Sequence, residues 1–72
     1  MLVCNLRKIS FEKDIRSISE LERITKVSRP TLQKMYDNVS LETIKIESLL
    51  KVCKGLKIGL FELIEYNENS GV

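Results

Sequence analysis

The sequence predicts an all-α domain, and three observations predict it. Apolar residues recur at helical spacing, most cleanly at Ile46, Leu49, Leu50, Cys53 and Leu56. Two short helical segments between residues 17 and 36 are joined by a tight turn, and no stretch passes the period test for a strand. At 72 residues and 43% apolar content the chain is one foldable domain, close to the lower limit for a core without disulfides or a metal.

Leu2, Leu6 and Ile9 have the spacing of a first helix over about residues 2–12, with Lys13, Asp14 and Ile15 as the turn. Ser17 with Glu20 three residues on is a capping-box signal for a second helix, on which Ile18, Leu21 and Ile24 share a side. Ser28 opens a third two residues after Lys26. Its hydroxyl suits free backbone N–H groups, and Pro30 is tolerated in a first turn, where its missing N–H has no partner to lose. Leu32 and Met35 then face inward, while Arg29, Thr31, Gln33 and Lys34 face outward.

Residues 37–44 are polar and β-branched without periodicity, a loop containing a helical turn begun by Ser40. A fourth helix covers about residues 45–56. Gly59 breaks the pattern, and Leu60, Phe61, Leu63 and Ile64 form a short last helix. The domain spans residues 1–66, and Asn67–Val72 is a polar, fraying tail.

Charge is distributed unevenly. Residues 1–36 hold eight Lys/Arg against four acids, residues 37–72 four against six, and Arg23 to Tyr36 carries four bases and no acid. A local positive field suits phosphate. Two cysteines, Cys4 and Cys53, make no disulfide framework, and with no histidine they build no zinc site. Cys53, at an apolar helix position, reads as a core residue. There is no signal peptide or long apolar run, which points to a reducing cytoplasm and no membrane partner. The absence of histidine, of a Gly-rich phosphate loop and of a metal-ligand cluster argues against an enzyme, a cofactor or a small-molecule ligand.

Two short helices across a tight turn, the second burying two apolar residues and exposing base-reading side chains, have the layout of a DNA-binding helix-turn-helix. At Leu21, Thr25-Lys26-Val27-Ser28-Arg29, Thr31-Leu32 and Tyr36 the chain resembles the Cro/phage-repressor, or xenobiotic-response-element type, family of bacterial and phage transcriptional regulators. Residues 48–56 followed by Glu62-Leu63-Ile64-Glu65-Tyr66 are similar to the closing segment of its small single-domain members. The resemblance implies a compact five-helix, lambda-repressor-like fold with the helix from Ser28 to Tyr36 in the major groove of double-stranded DNA. Two positions depart from the family pattern. Glu22 stands where Ala is usual and Lys26 where Gly is usual. The i, i+4 spacing of Glu22 and Lys26 suggests that the two pair with each other.

The resemblance assigns capping and phosphate contact to Ser28, base-facing positions to Arg29, Pro30 and Lys34, and flanking positions to Thr31 and Gln33. Arg29 is the main reader, since a guanidinium bonds both O6 and N7 of guanine. Helix starts near Ser17 and from Ser40 to Lys45 are further phosphate-contact candidates. One such domain covers too little DNA for tight binding, so a homodimer on an inverted repeat is expected. Leu60, Phe61, Ile64 and Tyr66 are its candidate surface, with covering of the small core as their other use. The expected function is that of a sequence-specific regulator, a repressor at an operator. The alternative is a protein-interaction module, antirepressor- or antitoxin-like, on the same fold.

Overall fold

The computed structural model describes residues 2–66, so the tail expected at Asn67–Val72 lies outside the described residues. Strand β1 (Leu2–Cys4) is followed by helices α1 (Leu6–Glu12), α2 (Ile18–Thr25) and α3 (Arg29–Asp37). A single 3-10 turn (Leu41–Thr43), α4 (Ile46–Leu56), α5 (Leu60–Leu63) and strand β2 (Ile64–Tyr66) complete the order.

The five helices match the sequence expectation; the two strands do not. Residues 2–4 were expected to open the first helix and Ile64 to belong to the last. Instead β1 and β2 pair antiparallel in the register Leu2↔Tyr66, Val3↔Glu65, Cys4↔Ile64. The ladder extends to the residue that precedes α1, because Asn5 N–H donates to the Leu63 carbonyl at 2.8 Å. A strand of three residues is too short to show an alternating pattern, and its stability comes from a partner about sixty residues away in the chain, which no local period reports.

The core is drawn from every helix. Leu6, Leu21, Leu32, Met35, Val52 and Leu63 have fully buried side chains, each contributing about 1.5–3 kcal/mol relative to exposure. On α4 the inward face is Leu49, Val52, Cys53 and Leu56, whereas Ile46 and Leu50 of the expected apolar stripe remain 62% and 52% exposed. Ile24, expected beside Leu21, is likewise exposed. The apolar stripe of α4 is therefore wider than the surface the small core covers.

Helices α2 and α4 approach closely at Gly55, where an added Cβ would stand 2.9 Å from the Ile24 carbonyl oxygen and 3.0 Å from the Thr25 Cα. Ser17 caps α2 as its sequence suggests, its hydroxyl accepting from the Glu20 N–H at 3.2 Å. At the other end Lys26 takes the left-handed conformation at φ 60°, a conformation that glycine adopts without steric cost. Thr25 secures this turn: its hydroxyl donates to the Leu21 carbonyl at 2.7 Å and accepts from the Val27 N–H at 3.3 Å, while Val27 drops into the core.

Candidate nucleic-acid interface

Helix α3 follows from Ser28, whose extended backbone turns the chain into the helix, and from Pro30, whose fixed φ suits a first turn. Leu32 and Met35 bury one side completely. That leaves Ser28, Arg29, Pro30, Gln33 and Lys34 exposed and Thr31 half-buried, so the six candidate DNA-contact residues lie together on α3 and the residue that precedes it.

None of the polar ones hangs loose. The Ser28 hydroxyl makes no cap to the helix N–H groups. It donates instead to the Thr31 hydroxyl at 3.0 Å, which corrects the capping role expected of it. Gln33 donates to Asp37 at 2.8 Å, one turn on. Lys34 reaches across to the Thr43 hydroxyl at 3.3 Å, and Thr43 in turn donates to the Ser40 carbonyl at 2.7 Å. Lys34 thereby links α3 to the 3-10 turn that the backbone-contact candidate Ser40 precedes.

Arg29 is held most firmly. Its Nε donates to a Glu22 carboxylate oxygen at 3.2 Å and its Nη2 to the Ser19 hydroxyl at 2.7 Å. Glu22 thus pairs across the turn with α3, which corrects the expected pairing along α2 with Lys26. Sequence reasoning missed Glu22, Ser19 and Thr43 as neighbours of the site. The signal for the first was present in the unusual acid at that position, but its partner lies seven residues on, beyond the i, i+4 reach of one helix.

The backbone-contact candidates lie at element starts. Ser17 precedes α2, Ser40 the 3-10 turn, and Lys45 α4, and all three are exposed. Tyr36, at the far end of α3, packs under the Arg7 guanidinium, 4.9 Å from its ring centroid, and Arg7 also approaches Asp37 at 3.6 Å. These contacts lock the C-terminal end of α3 to α1 and leave its first two turns outward.

The dimer-surface candidates lie on α5 and β2, outside α3. Phe61 and Tyr66 are 89% and 68% exposed, while Leu60 and Ile64 are half-buried against the core. Together with Leu2, Leu41, Ile46 and Leu49 they line one apolar groove.

Among the described residues no group of three or more His, Cys, Asp or Glu could hold a metal ion, and no helix is long and apolar enough to cross a membrane. Cys4 and Cys53 are buried free thiols whose pKa values burial pushes up, which makes thiolate chemistry unfavourable at both. Compared with known proteins, residues 5–69 match the family model described as a Cro/C1-type HTH DNA-binding domain. No curated protein matches the chain.

Proposed function

The chain belongs to the Cro/C1-type HTH DNA-binding domain family, and from that premise we propose that it is a sequence-specific transcriptional regulator, a repressor that binds an inverted-repeat operator as a homodimer. In this reading α3 enters the major groove. Arg29 reads guanine, Pro30 offers apolar contact to a thymine methyl, and Lys34, Thr31 and Gln33 reach adjacent base edges. Ser28, Ser17, Ser40 and Lys45 meet the sugar-phosphate backbone and fix the register without reading sequence.

The observation that carries this reading is the first turn of α3, an exposed helix start bearing a guanidinium that is 61% solvent-accessible and held in one orientation. Use of the same face to grip a protein calls for apolar or aromatic anchors. Residues 28–34 expose one apolar side chain, Pro30, so the DNA reading is preferred over the interaction module. The two copies meet through Leu60, Phe61, Ile64 and Tyr66, an apolar surface on another face of the domain. Its site of action is the cytoplasm, where Cys4 and Cys53 stay thiols. The reading includes no catalytic step, cofactor or small-molecule ligand.

Selection of bound sequences from a random duplex pool at about 100–150 mM salt, where nonspecific binding is weak, tests it. Enrichment of an inverted repeat is the expected result and yields the operator. Enrichment of nothing overturns the reading in favour of a protein partner.

A further inference from the structure

We propose that Glu22 and Ser19 of α2 are positioning residues that fix which base Arg29 reads, so that operator preference is written on both helices of the motif. The proposal rests on the reading of α3 as the major-groove helix. A guanidinium presents five N–H donors in a rigid plane. In this structure Glu22 takes the Nε donor at 3.2 Å and Ser19 takes Nη2 at 2.7 Å, two contacts along one edge of the fork. The remaining end-on edge offers one N–H from each Nη nitrogen. Two parallel donors there match a pair of adjacent acceptors, and O6 with N7 of guanine is such a pair.

The contacts contribute little to holding the fold together. The Arg29 and Glu22 side chains are 61% and 45% exposed, and ion pairs this open to water are screened. They do remove rotamer freedom from a long side chain before it meets DNA, which is the cost otherwise charged to binding. They also anchor the guanidinium to α2, whose start is the candidate backbone contact at Ser17, so the reading group is referenced to the phosphate register. Without Glu22 the same arginine is free to swing to a phosphate oxygen, an acceptor available at every step of the duplex. Glu22 therefore trades sequence-independent attraction for discrimination at one base pair.

Base preference at each position of the selected operator, measured by competition binding, tests this with Glu22→Ala, Glu22→Gln, Arg29→Ala and the Glu22→Ala/Arg29→Ala double variant. Glu22→Ala is expected to cut guanine preference at one base pair by about 5- to 100-fold, within the range a bidentate arginine supplies, while nonspecific binding holds or rises. Glu22→Gln, which retains an acceptor oxygen, is expected to recover most of the preference. In the Arg29→Ala background the loss of Glu22 should change preference less than about twofold, as expected when the pair acts as one unit. Thermal unfolding of Glu22→Ala should stay near that of the parent, which separates aim from stability. Full guanine preference in Glu22→Ala, or an equal loss in both backgrounds, overturns the proposal. Unchanged preference in Arg29→Ala overturns the assignment of α3 as reader, and this proposal with it.

Discussion

Asn38 grips Cys4 by both polar groups of its backbone. Its side-chain oxygen accepts from the Cys4 N–H at 2.6 Å and its amide nitrogen donates to the Cys4 carbonyl at 3.0 Å, thirty-four residues apart in sequence. The amide thus pairs with β1 much as a neighbouring strand would. Asn38 is also the residue that ends α3, in the left-handed conformation at φ 57°. One side chain therefore joins the end of α3 to the two-stranded sheet of β1 and β2.

Two variants separate these duties. Asn38→Gly keeps the left-handed turn and loses only the grip on Cys4, leaving two partly buried backbone groups to find other partners; it should destabilise the domain by about 1–2 kcal/mol. Asn38→Ala adds the cost of a left-handed alanine and should lose about 1 kcal/mol more. At about 4–8 °C per kcal/mol for a domain of this size, Tm resolves the order, and a Gly variant less stable than the Ala variant would refute it.

Gly55 is required by proximity. A methyl there meets backbone atoms of α2, the Ile24 carbonyl oxygen and the Thr25 Cα, which give way only if the helices part. Gly55→Ala should cost about 1–3 kcal/mol in overpacking, offset by about 1 kcal/mol of helix propensity. Net destabilisation in urea melts is expected, and a stabilised variant would show the approach to be loose.

Much of this fold was legible because it is local. The capping of Ser17, the inward pairs Leu32 with Met35 and Leu49 with Cys53, and the outward face of α3 all follow from spacing within one element. Helix ends were harder. Asp14, Lys26, Asn38 and Lys57 all adopt positive φ after a helix, at the positions where glycine is the usual signal. The glycines among the described residues stand elsewhere, Gly55 inside α4 and Gly59 ahead of α5. The sheet and the Glu22–Arg29 pair were unreadable for one shared reason: each joins residues that no single helical or strand period relates.

The thiols give a pH dependence with a definite sign. Desolvation is the leading cause that raises both cysteine pKa values; the Glu62 charge adds to it at Cys53, and the proximity of the two thiols at Cys4. The folded state therefore holds these protons more tightly than the unfolded chain. Their contribution is complete below the unfolded thiol pKa, about 8.5, and is lost as pH rises above it. Stability should fall on the alkaline side, and Cys4→Ala/Cys53→Ala should flatten that limb even if it lowers the plateau. A limb of unchanged slope in the double variant would assign the effect to other groups.

Lys45 tests the proposed division between positioning and reading. It is exposed at the start of α4, beyond the polar turn that Lys34 reaches through Thr43. Lys45→Ala should weaken operator and random duplex alike and reduce the salt slope by about one, whereas Arg29→Ala should lose about 1–3 kcal/mol on the operator alone. Loss of base preference in Lys45→Ala would move this lysine from the backbone to a base edge.

Phe61 offers the test of the proposed dimer. It is 89% exposed on the four-residue α5, beside Tyr66 on β2 and Ile46 on α4, both also exposed. Its side chain supports little of the fold, so the usual ambiguity between misfolding and lost association is small at this position. A two-fold interface uses the same patch twice, and Phe61→Asp would place two like charges within one dimer and remove two aromatic anchors. The variant should unfold at the parent's Tm yet sediment as a monomer. On DNA it should retain the parent's affinity for a single half-site and lose cooperativity on the inverted repeat. A Phe61→Asp protein that stays dimeric, or that binds the repeat with undiminished cooperativity, would move the two-fold contact away from α5 and β2.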